Sequence, residues 1–271
     1  MEKVCVVIPI HSSNPSPYEL ISFKQCFNIL NKYPIKIVAP KDLNLEAYEK
    51  INQGFEVIYI DPIWQSNLLS YNKLKISRFF YRLFKNYEFL LTYELDAFVF
   101  QDDLDYWCAK GYDYVGAPWF EGWANAKDNA KFIGVGNSGF SLRKVSVIAN
   151  LLKSIYFKST VDFNNGKANL FKAYLKMPYY WFRNQMGENF TIQTKCILFE
   201  DRFFSELAPA YSKTFKIAPV EEALKFSFEV KPELLYNLNQ NKLPMGCHAW
   251  WKYNLNFWQP HIEKFGYSLK I

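Results

Sequence analysis

Two carboxylates set two residues apart, Glu94 and Asp96, close the apolar run Phe89-Leu90-Leu91-Thr92-Tyr93. Such a run reads as a buried strand, and in a parallel sheet ligands bind at the carboxyl ends of strands. A hard divalent cation there takes carboxylate oxygens together with substrate phosphates. Either acid can instead cap the turn after the strand, so the pair alone leaves both roles open. Gly136-Asn137-Ser138-Gly139 removes side chains where backbone must approach a ligand, and Asn137 and Ser138 add groups suited to sugar hydroxyls; an ordinary turn is the alternative. Glu200-Asp201 opens a helical stretch, where the macrodipole favours acids whether or not they react. Lys73 and Arg78 precede the Glu94 strand on a helix, and a guanidinium fork suits phosphate, although a solvated basic face fits as well. His248, between Gly246-Cys247 and Ala249-Trp250-Trp251, is either functional or a satisfied core histidine.

The elements around these residues alternate. Strands are expected over 3–10, 35–39, 55–60 and 87–93, with helices over 18–30, 45–51 and 73–84 between them. Strands joined by crossover helices form a mostly parallel sheet. Further on, the expectation is a helix over 104–110, a strand over 112–117, a mobile loop over 119–132 and a short strand over 140–142 feeding a helix over 143–152. Residues 156–193 give mixed signals, and the tail over 244–271 is rich in Trp, Tyr and His. Neither a repeat nor a linker divides the chain, so one α/β domain over 1–271 is expected.

Half of the 271 residues are hydrophobic, enough for a substantial core, yet the longest apolar stretches are too short to cross a bilayer. The N-terminus lacks the pattern of a secretory signal, which points to the cytosol. Five scattered cysteines show neither a disulfide framework nor a zinc spacing, and a reducing compartment fits. The net charge of +6 favours phosphate-bearing ligands or an anionic lipid surface without demanding nucleic acid. The aromatic content of 19% suits sugar binding but also fits a compositional bias that fills cores. Trp250 and Trp251 share that ambiguity, as acceptor-stacking or core indoles.

The order Glu94-Leu95-Asp96, Gly136-Asn137-Ser138-Gly139, Glu200-Asp201 and His248 resembles the landmarks of glycosyltransferases with the A-type (GT-A) fold. More narrowly, Tyr93-Glu94-Leu95-Asp96-Ala97, Tyr112-Asp113-Tyr114-Val115-Gly116-Ala117-Pro118-Trp119, Gly136-Asn137-Ser138-Gly139-Phe140-Ser141-Leu142-Arg143 and Cys247-His248-Ala249-Trp250 resemble a bacterial domain family found among polysaccharide biosynthesis enzymes. The likeness spans nearly the whole chain. It implies a GT-A-like, Rossmann-type sheet with a nucleotide-binding half (1–100) and a less regular acceptor-binding half (101–271). It implies Mn2+ or Mg2+ on Asp96, Glu94 and His248, with most weight on Asp96 because the first acid is Glu where Asp is commoner. Donor contacts are expected from Lys73, Arg78 and Tyr93, from Asp113 and Trp119 beside the sugar, and from Asn137, Ser138 and Gly139.

The activity so implied is transfer of a hexosyl group from a nucleoside diphosphate sugar, UDP-linked by preference, to a hydroxyl of a cell-surface glycan, with a lipid-linked acceptor and peripheral contact with the inner membrane face allowed. Asp201, beside Glu200, is expected to take the acceptor's proton if the reaction inverts, and to orient the acceptor or support an oxocarbenium-like transition state if it retains. The alternatives are a non-catalytic glycan-binding module of the same fold and a nucleotidyltransferase. The latter usually has a glycine-rich loop after its first strand, where this chain has Pro9-Ile10-His11-Ser12-Ser13-Asn14-Pro15.

Overall fold

A strand buried on both faces is apolar without alternation, as Val4-Cys5-Val6-Val7-Ile8 is. In the computed structural model, which describes residues 1–155 and 167–269 with the side chains of 167–174 excepted, this run is β1 (Glu2–Pro9). Ser16 and Glu19 form a reciprocal capping box around Pro17 and start α1 (Pro17–Leu30). β2 (Ile35–Pro40), the one-turn α2 (Glu46–Glu49) and β3 (Glu56–Ile60) follow.

The single helix expected over 73–84 is two, α3 (Leu68–Lys75) and α4 (Arg78–Leu83). The Asn67 side chain captures Ser70 N–H and begins α3 early, and Ser77 Oγ captures Phe80 N–H at 3.1 Å and restarts the chain as α4. Polar side chains that take backbone donors interrupt a helix in this way. β4 (Tyr87–Tyr93), β5 (Phe98–Val99) and α5 (Leu104–Lys110) come next.

The strand expected over 112–117 divides at Gly116 into β6 (Tyr114–Val115) and β7 (Ala117–Phe120). Gly116 is pressed against the neighbouring backbone: a Cβ there would lie 2.1 Å from Gly136 O. The loop expected over 119–132 is shorter than that, because β7 pairs antiparallel with β8 (Phe132–Gly136) and the rings of Phe120 and Phe132 stack with centroids 4.7 Å apart. Such cross-strand aromatic pairs stabilise a hairpin. β9 (Phe140–Lys144) then feeds α6 (Val145–Ser154).

The mixed stretch over 156–193 lies partly outside the described residues. Its described part holds the helices Lys167–Met186 and Phe190–Lys195. A turn of helix, Glu200–Arg202, runs into a π-turn, Phe203–Leu207. The remaining chain supplies the helix Val220–Phe226, β10 (Ser227–Phe228), β11 (Gly246–Cys247) and the helix Leu255–Glu263.

The main sheet has the order β3-β2-β1-β4-β9-β6, in which β9 alone runs against the others. This is the expected α/β domain with a mostly parallel sheet flanked by helices. On one face Val4, Val6 and Ile8 meet Phe23, Cys26 and Phe27 of α1. On the other, Cys5 and Val7 meet Leu74, Phe80 and Ile148 of α3, α4 and α6. From β1 the chain moves outward to β2 and β3, then returns to lay β4 on the opposite side of β1. The carboxyl ends of β1 and β4 therefore flank a topological switch point, where open α/β sheets bind ligands. β5, β10 and β11 form a second small sheet beside it. All five cysteines are buried free thiols. Among the described residues, no helix is long and apolar enough to cross a membrane.

Candidate metal centre

Strand registers bring the distant residues of the site together. Tyr93 lies opposite Phe140, and Glu94 N–H donates to Gly139 O at 2.7 Å just beyond that pair. The chain turns through Asp96 and enters β5. There β11 lies antiparallel with Cys247 opposite Phe98, and β10 lies parallel to β11 with Phe228 opposite Cys247. The residues that follow, Glu229 and His248, are thereby set side by side next to Asp96.

Ligand atoms of Glu94, Asp96 and His248 all lie within 4.8 Å of one another. Nε2 of His248 is 3.0 Å from Asp96 Oδ1 and 3.7 Å from Glu94 Oε2. Nδ1 is 2.9 Å from Glu229 Oε1. Nε2 is buried and has no well-formed hydrogen bond despite the two carboxylates it faces. A buried imidazole nitrogen aimed between carboxylates, with its other nitrogen fixed by a third, is the arrangement of a metal-binding histidine with its orienting partner. Burial opposes a charge on His248, but Asp96, Glu229 and Glu94 outweigh it and raise the imidazole well above its ordinary value. The pocket thus favours added positive charge, and Asp96, Glu94 and His248 offer the oxygen and nitrogen donors that could hold a divalent cation there.

Glu94 is held from behind. Its Oε1 accepts from Tyr71 Oη and Lys75 Nζ, each at 2.8 Å, and from Ser138 Oγ at 2.9 Å. Tyr71 and Lys75 are four residues apart on α3 and so share a face. Burial would raise the Glu94 carboxyl, but Lys75 and His248 hold it well below the carboxylate range. Lys75 also pairs with Ser138, and at 3.1 Å with Glu200, whose same oxygen receives Arg143 at 2.9 Å. Glu200 is fully buried beneath the site, kept ionised against its burial by Arg143 and Lys75.

Asp201, one residue on, points elsewhere. It lines a cavity of about 520 Å3 together with Trp119, Ser138, Phe199, Glu229 and His248. Burial first, and the Glu200 charge second, push its carboxyl up to about 7. A second cleft of about 430 Å3 opens at the carboxyl end of β1, lined by Pro9, His11, Gln65, Asn67, Asp96 and Trp251 among others. Glu94, Tyr71 and Leu68 belong to both walls. The Glu94–Asp96–His248 cluster therefore sits where the two spaces meet.

The other residues singled out in the sequence divide between cavity and scaffold. Ser138 and Trp119 line the larger cavity, and a Cβ at Gly136 would strike the Trp119 ring at 2.0 Å. Asn137, at φ 121°, turns inward, its Oδ1 accepting from Gly139 N–H at 2.7 Å and Phe140 N–H at 3.2 Å. Lys73 is spent on the carbonyls of Ile192 and Cys196, and Arg78 on that of Asn184 at 2.9 Å. Both tie α3 and α4 to later helices and are absent from the lining of either cavity. Tyr93 is buried and donates to Ser22 O at 2.9 Å. Asp113, also buried, accepts from Lys216 N–H at 2.8 Å, away from both cavities. Trp250 is a core indole bonded to Ser22 Oγ at 3.0 Å, whereas Trp251 lines the smaller cleft. Sequence reading missed Glu229, which follows a two-residue strand and carries no signal of its own. It also missed Tyr71 and Lys75 as a pair, because the helix was expected to begin at Lys73.

Gly139 has a role that its neighbours make specific. A Cβ there would lie 2.2 Å from His248 Nε2. Gly139→Ala is therefore expected to displace the imidazole and weaken manganese binding by ~10–100-fold, as changes in the support of a metal ligand do. Calorimetric titration together with far-UV circular dichroism checks this, and unchanged manganese affinity in a folded variant would remove His248 from the site.

Over residues 54–248 the sequence matches the family described as "Protein of unknown function (DUF5672)". The chain belongs to this family. The match to the DUF5672 family takes in Glu94, Asp96, Asp201, Glu229 and His248. No curated protein matches the sequence. Among solved structures, the DUF5672 chain is similar to mouse xyloside xylosyltransferase 1, with 9% identity and TM-score 0.47 over 91% of this chain and 97% of that one. It is similar also to the Streptococcus pneumoniae glycosyltransferase GlyE, with 12% identity and TM-score 0.41 over 97% and 63% of the two chains. A third neighbour is 4-diphosphocytidyl-2C-methyl-D-erythritol synthase from Anaerococcus prevotii, with 12% identity and TM-score 0.36 over 64% and 82%.

Proposed function

We propose that this chain is a metal-dependent glycosyltransferase that uses a nucleoside diphosphate sugar, UDP-linked by preference, and glycosylates a hydroxyl of a glycan. The observation that carries the reading is the position of Glu94, Asp96 and His248 between two cavities at the switch point of the sheet. The smaller cleft, built mainly from residues before 100, takes the nucleotide. The larger, built mainly from residues after 101, takes the sugar and the acceptor. A divalent cation, manganese or magnesium, on Asp96, Glu94 and His248 supplies Lewis-acid charge compensation for a diphosphate leaving group.

The chain's own residues do the rest. Glu229 holds the His248 ring, and Tyr71, Lys75 and Ser138 fix Glu94 Oε1 so that Oε2 faces the cluster. Trp119 offers an aromatic wall to a sugar ring. Asp201 accepts the acceptor hydroxyl's proton as that oxygen bonds to the anomeric carbon, and the electron pair of the breaking carbon–oxygen bond leaves with the diphosphate. A carboxyl near 7 suits that task, since a base works best when its pKa lies close to the working pH.

A thermal-shift panel of nucleotide sugars with and without manganese tests the reading. One nucleoside diphosphate sugar is expected to raise the melting point, and only with metal, because a ligand that binds the folded state alone stabilises it by mass action. A panel without any metal-dependent shift would end the proposal. Turnover of a nucleoside triphosphate with a sugar phosphate would replace it with nucleotidyl transfer.

A further inference from the structure

From Leu175 onward the helix Lys167–Met186 carries an apolar stripe on its outer side. Leu175, Tyr179, Phe182 and Met186 recur at helical spacing and fall within a stripe ~60° wide at 3.6 residues per turn, and they are 66, 53, 56 and 72% exposed. Asn184, on the opposite side, is buried and donates to Ile155 O at 3.4 Å. Helices of water-soluble domains turn their apolar stripe inward; this one also turns a stripe outward. Trp181 is 64% exposed on the same helix, and further along the chain Ile197 is 86% exposed and Phe199 lies at the wall of the Asp201 cavity. The charges on this stretch are mostly positive. Lys176 and Arg183 flank the stripe on the same helix, and in the sequence from Leu175 to Phe199 the one acid is Glu188, which is already paired with Arg82 at 2.7 Å.

We propose that this face docks on an anionic lipid surface. Apolar and aromatic side chains flanked by Lys and Arg, without acids to repel a headgroup, are what an interfacial helix presents to phosphate-bearing lipid. A protein partner of ordinary polarity would not call for that positive charge. On the transferase reading above, docking also places the Asp201 cavity beside lipid-linked acceptors, but the docking itself does not depend on that reading.

Sedimentation of the full chain with phosphatidylcholine vesicles, with and without phosphatidylglycerol, tests the proposal without any assay of transfer. Partitioning onto the anionic vesicles is expected to exceed that onto neutral ones by at least ~10-fold and to fall with salt. The double variant Phe182→Ser, Met186→Ser should melt as wild type and lose at least ~10-fold in partitioning, as should Lys176→Glu combined with Arg183→Glu. Equal partitioning onto both vesicles, or wild-type partitioning by both variants, overturns the proposal. So does a concentration-dependent dimer that the double variant abolishes while wild type ignores vesicles, since the face would then join two copies of the chain.

Discussion

Asp201→Asn is expected to bind donor as wild type does and to transfer at least ~100-fold more slowly, the lower edge of what a general base contributes. The substitution keeps the shape and removes the basicity. In wild type the rate should rise with pH and level off above about 7, the value to which burial and Glu200 push this carboxyl; in the variant that rise should vanish. Stability responds in the opposite sense. A carboxyl raised in the folded state retains a proton that the unfolded chain releases, so its contribution is full at acid pH and is lost as pH climbs from the ordinary value of 3.8 towards about 7. Asparagine has no charge to bury, so the variant should gain in melting point relative to wild type between pH 5 and pH 8. Glu200→Gln makes the contrast. It leaves Arg143 and Lys75 facing each other in the interior, and breaking such a buried pair costs ~3–5 kcal/mol, so its signature is a lowered melting point. Transfer at the wild-type rate by Asp201→Asn would assign the base elsewhere.

Asp96→Ala is the second large effect. Wild type should bind a nucleoside diphosphate far more tightly with manganese than with chelator, and the variant should bind equally in both. Loss of a metal-orienting group already costs ~10–100-fold in metal affinity, so removal of the ligand itself should reach at least the upper end. Calorimetry with and without chelator reads this directly. Wild-type indifference to chelator would dismiss the cation, whereas a persisting manganese effect in Asp96→Ala would shift it onto Glu94 and His248 alone.

The parallel strands from β1 to β4 were legible because they are apolar runs of five residues or more: 87–93 was expected as a strand and is β4 (Tyr87–Tyr93). Glu94 and Asp96 were legible as a pair because a strand end announces its own direction. The association of His248 with them came from resemblance, since the registers that create it belong to β5, β10 and β11, each two residues long and without a periodic signature. The pairing of Tyr71 with Lys75 was obscured by a boundary. With the helix begun at Lys73, Tyr71 fell outside it and the face that meets Glu94 was not visible. Asp113 shows the opposite failure: a carboxylate beside a strand looks chemical in a sequence, yet here it holds a backbone donor of Lys216. Side-chain type gives capacity, and only tertiary placement decides whether that capacity is already spent.

The pairing of β5 with β11 also sets a schedule. Glu94 and His248 are far apart along the chain, and contacts across so long a loop form late, after local helices and neighbouring strands have closed. A chain emerging from the ribosome can build β1 to β4 and bury both faces of that sheet long before residue 248 exists. The corner that joins Glu94, Asp96 and His248 is then the last piece to close, and a half-made chain would offer a cation Glu94 and Asp96 without His248. On the metal reading proposed above, strong metal binding would thereby be reserved for molecules whose C-terminal third has already found its place.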